Sequence, residues 1–177
     1  MNLFRFLLCI IFISYFSLGF GVDVKNSKKI IGIYENIILL PDGIKMPAKL
    51  DTGADSSSIH GENVKIYEKD GKKYVRFLFI WDKNGIEEEL KIEKQLERYA
   101  KIKRKGQLTS DRRPVVNLEF CLDGKKYNDE FTIADRDNFN YPLLLGREFL
   151  RKYFIIDPDS DYITDANACN QYIKDEK

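Results

Sequence analysis

Histidine is almost absent from this chain, and its scarcity excludes several kinds of active site. The 177 residues contain one histidine, His60. A histidine-rich zinc site cannot be built from one imidazole, and the sequence has neither a His-Glu-x-x-His motif nor a Gly-x-x-x-x-Gly-Lys-Ser/Thr phosphate loop. Ser56, Ser57 and Ser58 have His60 as their one available base, and no serine triad can be assembled around it. The sequence therefore predicts no metal ion, nucleotide or organic cofactor.

Neither sign of charge is in excess. The chain has 29 basic and 28 acidic residues, and Arg5 is the one charged residue within residues 1–21, so 28 basic and 28 acidic residues follow that segment. A neutral chain gives no case for nucleic-acid binding. The length fits one domain, the 44% apolar content is sufficient for a core, and no internal repeat is present.

Residues 1–21 have the composition of a signal peptide. Arg5 precedes an almost unbroken apolar run from Phe6 to Phe20, and small residues near its end offer cleavage points. We expect cleavage, which predicts a periplasmic or secreted protein of residues 22–177 without membrane contact. The alternative is an uncleaved membrane anchor, for which the run is rather short.

Cysteine is scarce as well, with two residues, Cys121 and Cys169, beyond the first 21 positions. In an exported protein they can form a disulfide that ties the C-terminal tail to a strand. The alternative is two unpaired, partly buried thiols. The spacing of the two residues leaves both interpretations open.

The most informative motif is Asp51-Thr52-Gly53, which follows the apolar Leu50. An aspartate here can supply half of a carboxylate dyad that shares one proton and activates water. Threonine is small and β-branched, which suits a strand end, and glycine permits a sharp turn that keeps the floor of a site open. A second motif, Leu144-Leu145-Gly146-Arg147, lies near the other end of the chain.

Together the two motifs resemble the retropepsin-like aspartic proteases, and in particular a bacterial branch labelled as ATP-dependent zinc proteases. Ser58-Ile59-His60 and Arg113-Pro114-Val115-Val116 match the same branch, and the resemblance runs from about Ile30 to Pro158. It implies a mostly β fold, a closed acid-protease barrel with one short C-terminal helix over Arg147 to Tyr153. Neither the zinc nor the ATP of the label is supported by these residues.

The resemblance also implies roles for individual residues. Arg147 is expected to form an ion pair with Asp55, because an Arg–carboxylate pair is directional and bidentate; the alternative is two solvated charges. The implied site has three groups of residues: the catalytic Asp51, Thr52 and Gly53, the substrate-binding Ala54, Asp55 and Gly106, and the supporting Gly146 and Arg147.

One Asp-Thr-Gly loop is half of an aspartic protease site. The resemblance therefore implies a homodimer in which Asp51 meets its own symmetry mate, giving an exported endopeptidase that hydrolyses peptide or protein substrates. One alternative is a non-catalytic peptide-binding module on the same fold, which would hold an extended peptide by strand addition. Another is a membrane-anchored partner protein whose functional element is the segment 1–21.

Short apolar segments punctuated by turns predict the strands. Asp70-Gly71 and Asp123-Gly124 are strong hairpin signals, and Pro158 is expected to end the last strand. The predicted strands are Lys28 to Leu40 (one or two strands), Lys45 to Leu50, Val64 to Tyr67, Lys73 to Trp81, Val115 to Leu122, Lys126 to Ala134 and Phe154 to Asp157.

Residues 86–106 support two interpretations. Apolar residues from Ile86 to Ile102 approximate helical spacing, whereas the second half also alternates as in a strand, and the resemblance favours β there. The same layout places a flap tip at Lys105 to Gln107, a hairpin that closes over substrate. Residues 62–90 would then be an insertion relative to a minimal retropepsin.

Two further features have both a functional and a structural interpretation. His60 either orients substrate or contacts the partner chain, but a lone histidine is more often structural. The basic cluster Lys101 to Lys105 either attracts acidic peptides or is a solvated edge offset by Glu87 to Glu89. Relatives in the resembling branch are associated with ligases that attach glutamate, which makes glutamate-rich tails a candidate substrate.

Overall fold

The computed structural model describes residues 27–83, 85–102 and 111–173. Within these ranges the chain forms eleven strands, one α-helix and one 3-10 helix. The predicted signal peptide and the predicted flap tip with Gly106 lie outside the described residues. The elements are β1 Lys29–Leu40, β2 Ile44–Asp51, β3 Ser57–His60, β4 Glu62–Lys69, β5 Lys72–Lys83, β6 Ile86–Gln95, β7 Arg98–Ile102, β8 Asp111–Leu122, β9 Lys125–Ala134, β10 Leu143–Gly146, α1 Arg147–Tyr153, β11 Phe154–Asp161 and the 3-10 helix Ala166–Tyr172.

Six strands close into a barrel. The main sheet has the order β11-β1-β2-β10-β3-β9-β8-β7, and β1 pairs a second time with β8, so β1, β2, β10, β3, β9 and β8 form a continuous ring. Strand β11 extends the sheet beside β1, and β7 extends it beside β8. The predicted mostly β, closed barrel is confirmed, as is the short helix from Arg147 to Tyr153.

A second, three-stranded sheet of β4, β5 and β6 packs on the barrel. Val75, Phe77 and Phe79 of β5 and Ile92 of β6 are buried in the same apolar cluster as the barrel interior. Both predicted hairpins are present, because Asp70-Gly71 and Asp123-Gly124 each take two positive φ values, between 52° and 71°. That backbone matches the twist of a two-residue hairpin turn.

The helical interpretation of the region after Ile86 is wrong. Residues Ile86–Gln95 form β6, which pairs with β5 at ten successive register positions. The alternate residues Glu87, Glu89, Lys91 and Glu93 are exposed on one face of the sheet, while Ile92 on the other face is buried in the core. Residues 62–90, predicted to be an insertion, are therefore part of a complete three-stranded sheet that continues to Gln95.

The end of the chain also differs from the prediction. Strand β11 does not stop at Pro158 but runs to Asp161. It is the edge strand of the sheet, where a proline is tolerated because one side needs no ladder hydrogen bond. The 3-10 helix that follows was not predicted from the sequence.

A buried carboxylate holds this C-terminal segment against the barrel. Glu35 is fully buried, and its oxygens accept hydrogen bonds from the backbone N–H groups of Gly32, Ile163 and Thr164 and from the Thr164 hydroxyl, at 2.6–3.2 Å. Four donors replace the water that a buried carboxylate loses, and no cation lies within ion-pair distance of Glu35 among the residues described here.

Cys121 of β8 and Cys169 of the 3-10 helix form a disulfide, which decides between the two interpretations of these residues. Both are fully buried in a small apolar cluster with Ile38 and Leu40. The bond attaches the 3-10 helix to the outside of the barrel. No helix in the described residues is long and apolar enough to cross a membrane.

Removing this disulfide is expected to destabilise the protein. The bond joins residues 48 positions apart, and in the chain-entropy account a loop of that length contributes about 4 kcal/mol. We expect Cys121→Ser/Cys169→Ser in residues 22–177 to lower the free energy of unfolding by about that amount in urea titrations. Reductant should destabilise the wild type similarly and leave the double variant unchanged. Equal stability of oxidised wild type and variant would contradict the prediction.

Candidate active site

The predicted catalytic loop joins β2 to β3. Asp51 is the last residue of β2, and its Oδ1 accepts a hydrogen bond from the Gly53 N–H at 2.9 Å. Thr52 and Gly53 are exposed, and the Asp51 side chain is 26% exposed. The carboxylate therefore has a fixed orientation but remains open to solvent.

Strand β10 lies directly behind this loop. It pairs in parallel with β2, where Gly146 is opposite Asp51, and antiparallel with β3, where Leu144 is opposite Ser58. A Cβ on Gly146 would lie 2.4 Å from the carbonyl carbon of Ser56, closer than any side-chain carbon can approach. The glycine is thus required for β10 to pass between the two strands.

The structure brings Arg147 and Asp55 together as an ion pair. The Arg147 Nη1 also donates to the Thr52 carbonyl at 3.4 Å, and its backbone N–H donates to the Ala54 carbonyl at 2.7 Å. The first residue of α1 is thus bonded to three residues of the loop. Because both charged side chains are more than half exposed, the pair positions the loop more than it stabilises the fold.

A partly buried chain of hydrogen bonds also supports the loop. The Gly146 N–H donates to Ser57 Oγ at 3.1 Å, and that hydroxyl donates to Asp129 Oδ2 at 2.8 Å. Burial raises the pKa of Asp129, and the hydrogen bond from Ser57 partly opposes that shift. The sequence did not indicate Asp129, because its partner lies 72 positions away.

The outer face of the barrel beside Asp51 carries a lysine. Register pairs place Tyr34, Lys49, Leu144 and Ser58 side by side on this face. The Lys49 Nζ lies 3.4 Å from Asp51 Oδ2. Any peptide that reaches the Asp51 carboxylate along this face must therefore pass a positive charge.

Arg136 adds a second positive charge to the same face. Its Nη1 donates to Ser58 Oγ at 2.8 Å and its Nε to the Tyr141 carbonyl at 3.1 Å. The residue is 8% exposed, and no carboxylate of the described chain lies within ion-pair distance of it. Burial and the nearby Arg113 lower the pKa of Arg136, and Asp51 acts in the opposite direction. Sequence reasoning identified neither Arg136 nor Lys49.

His60 is buried beside two carboxylates. Its Nε2 lies 3.5 Å from Glu62 Oε1 and 3.4 Å from Asp137 Oδ1, a grouping that has the residue types of a metal site. However, Nδ1 accepts a hydrogen bond from the Arg136 N–H at 3.1 Å. A neutral imidazole whose Nδ1 is an acceptor carries its proton on Nε2, which leaves no lone pair there for a metal ion. The grouping fits a structural histidine.

Comparisons with known proteins agree with this geometry. The model of the family described as "RimB-like: Retropepsin-like aspartic endopeptidase RimB" matches residues 30–167. The chain belongs to this RimB-like family. A solved structure, protein Lpg0085 of unknown function from Legionella pneumophila, is 33% identical, with a TM-score of 0.67 over 78% of this chain and 100% of that one.

Curated relatives of this RimB-like chain carry a different name. A protein named "Probable alpha-L-glutamate ligase" from Shewanella pealeana is 29% identical over 78% of this chain and 30% of its own length. One of the same name from Desulfotalea psychrophila is 30% identical over 75% of this chain and 28% of its own length. The chain thus spans less than a third of these relatives, and their name describes much longer proteins.

The raised pKa of Asp129 predicts a pH dependence of stability. Above about 3.8, the ordinary value, the folded state retains a proton that the unfolded state has released, so stability falls as pH rises until folded Asp129 has also ionised. Asp129→Asn keeps an acceptor for Ser57 and should flatten this fall in urea titrations across pH. Glu68→Gln, on the exposed side of β4, should not. If the free energy of unfolding of Asp129→Asn fell with pH as steeply as that of the wild type, Asp129 would not be the cause of the pH dependence.

Proposed function

We propose that this protein is an aspartic endopeptidase that is active as a homodimer. The observation that carries the proposal is the position of Asp51, held on an exposed loop by Gly53 and by the Asp55–Arg147 ion pair. The printed sequence contains one Asp-Thr-Gly motif, so the second carboxylate is supplied by Asp51 of another copy. The exposure of Thr52 and Gly53 is in keeping with a surface that a second loop covers.

In this proposal the two Asp51 carboxyl groups share one proton. The ionised group takes a proton from water as the water oxygen bonds to the scissile carbonyl carbon, and the protonated group gives its proton to the carbonyl oxygen. As the C–N bond breaks, the amine leaves with a proton from one carboxyl group, and a hydroxyl of the tetrahedral intermediate returns its proton to the other, which restores the singly protonated dyad. Because one of the two groups must be protonated and the other ionised, activity should fall at both low and high pH.

We further propose that the substrates carry acidic side chains. Lys49 and Arg136 flank the route to Asp51, and Arg136 has no carboxylate partner in the described ranges. A buried guanidinium without a carboxylate partner gains most from a carboxylate that arrives with a ligand. The relatives' name refers to glutamate, which agrees with a substrate that contains glutamate.

We propose export of the mature protein as residues 22–177. The buried disulfide between Cys121 and Cys169 supports this, because such bonds persist in oxidising compartments. The apolar run from Phe6 to Phe20 supplies the targeting signal.

Two other functions follow from specific observations. A non-catalytic peptide-binding module would use the same face around Lys49 and Arg136. A role in glutamate ligation follows from the relatives' name, although this chain corresponds to less than a third of their length. The Asp51→Asn variant distinguishes a peptidase from a peptide-binding module, and incubation with ATP and glutamate distinguishes a peptidase from a ligase.

Asp51→Asn is expected to lower peptide cleavage by about 10³-fold, because it removes the acid–base group of both subunits. The measurement is mass spectrometry of a peptide pool incubated with residues 22–177, at protein concentrations above and below the dissociation constant of the dimer. Activity per subunit should fall on dilution. Asp159→Asn, on the exposed edge strand, should cleave as the wild type does.

Equal cleavage by Asp51→Asn would contradict a role for this carboxylate. Binding of peptides without cleavage, from protein shown to be folded and dimeric, would favour the peptide-binding module. Mass gain of a peptide incubated with ATP and glutamate would favour ligation.

Lys49→Met should weaken the preference for acidic substrates while retaining cleavage. Loss of a charge-assisted contact costs about 1.5–3 kcal/mol, so kcat/KM for a glutamate-containing peptide should fall about tenfold to a hundredfold more than kcat/KM for its glutamine analogue. Any loss common to both peptides reports the contact of Lys49 with Asp51. Lys45→Met, an exposed lysine earlier on β2, is the matched control. Equal losses for both peptides would contradict a role for Lys49 in substrate choice.

A further inference from the structure

A lysine-rich cleft lies at the end of α1 remote from the catalytic loop. It has a volume of about 500 Å³ and its floor includes the aromatic rings of Tyr127 and Phe154. Asp123 is the one carboxylate among its described lining residues. Five lysines surround it: Lys28, Lys29, Lys125, Lys126 and Lys152.

Part of this positive charge has no ion-pair partner among the described residues, although Lys152 attracts Asp129 from beyond ion-pair distance and opposes the rise that burial causes in the pKa of that residue. Lys29 pairs with Asp123, and Lys126 pairs with Glu119 at 2.9 Å. The other three lysines of the cleft have no carboxylate within ion-pair distance among the residues that the structure describes. Burial, together with Asp123 and Tyr153, raises the pKa of Tyr127 to about 12, so its phenol stays uncharged and cancels none of this charge.

The concentration of lysines here is not a consequence of composition. The chain carries 29 basic and 28 acidic residues, a net charge of +1. In the cleft, five lysines contribute to the lining together with one carboxylate. In a neutral protein, such a local excess directs one face towards an anionic surface.

The position of the cleft along the chain indicates that this anionic surface is a membrane. Ser27 and Lys28 are part of its lining, and the apolar run ends at Phe20, seven residues before Ser27. Seven extended residues reach no further than about 25 Å. Before the run is cleaved, while it is inserted in a bilayer, the cleft is therefore held within that distance of the lipid headgroups, and cleavage releases the mature protein beside them.

We propose that this lysine cleft docks the protein on an anionic membrane surface. Clustered lysines next to an apolar segment attract acidic headgroups, at about 1 kcal/mol for each residue near the surface. Tyr153, which is 42% exposed, lies in the same lining and presents an aromatic ring of the kind that favours the headgroup region.

The chemistry favours a layer of headgroups over a single small anion. Lys29 has a side chain that is 54% exposed, and its ammonium already pairs with Asp123, so it does not close a shaped pocket around a small anion. The cleft also lies at the C-terminal end of α1, whose backbone carbonyls repel a close anion. The favourable interaction that remains is a diffuse electrostatic attraction between the lysines of the cleft and many headgroups.

Vesicle binding of residues 22–177 tests the proposal, since these residues contain every described element of the fold without the apolar run. Phosphatidylcholine vesicles with phosphatidylglycerol should sediment the protein, and pure phosphatidylcholine vesicles should not. The triple variant Lys28→Gln/Lys125→Gln/Lys152→Gln should bind about a hundredfold more weakly, from three residues at about 1 kcal/mol each. Added salt should weaken wild-type binding.

The matched control is Lys65→Gln/Lys72→Gln/Lys91→Gln, which removes three exposed lysines from the second sheet and changes the net charge equally. It should bind as the wild type does, with both variants retaining the wild-type melting temperature. Equal loss in the two triple variants would overturn the proposal, since binding would then depend on net charge alone. Displacement by millimolar glycerol phosphate would also overturn it and indicate a site for a free phosphate.

Discussion

The close approach of Gly146 to Ser56 is the contact on which the candidate site depends. Because residue 146 has no Cβ, β10 can pass between β2 and β3 with its backbone against the loop that joins them. In that position the Gly146 N–H donates a hydrogen bond to Ser57 Oγ, and the N–H of Arg147, the first residue of α1, donates one to the Ala54 carbonyl of the Asp51 loop. A larger residue would separate β10 from the loop and leave Asp51 without its support. The barrel and the site therefore share one structural requirement.

If the protein works through the proposed pair of carboxylates, the same arrangement leaves the site incomplete in one chain. The loop is well supported from behind by β10 and α1, whereas Thr52 and Gly53 have no cover in front among the residues described. Support on one side and exposure on the other are what a two-fold contact needs, because the two loops must meet without rearranging. Preorganisation of this kind lowers the cost of assembly. It is the physical reason for assigning the second carboxylate to a second copy.

Local chemistry made both hairpins predictable, since each Asp-Gly turn acts through neighbouring residues, and it singled out Asp51 to Gly53. The role of Leu144 to Arg147 as the strand and helix start behind the loop was implied by the family resemblance. The assignment of Ile86–Gln95 needed β5, because its Glu and Lys content fits a helix as well as an exposed sheet face. Arg136 could not be found, because it lies 78 positions from the Ser58 that it contacts. Lys49 lies two residues before Asp51. Side chains two residues apart share a face of a strand, but this applies to Lys49 and Asp51 only once β2 is known to be a strand.

The positive charges of this neutral chain are divided between two functions in these proposals. Lys49 and Arg136 lie beside Asp51, and the lysine cleft lies beyond the far end of α1. With the cleft against a membrane, the Asp51 loop remains free to meet the loop of another copy. Confinement to a surface raises the effective concentration of such copies. A dimer too weak to persist in dilute solution would then form where the protein is docked, so membrane binding and catalysis would be linked through assembly.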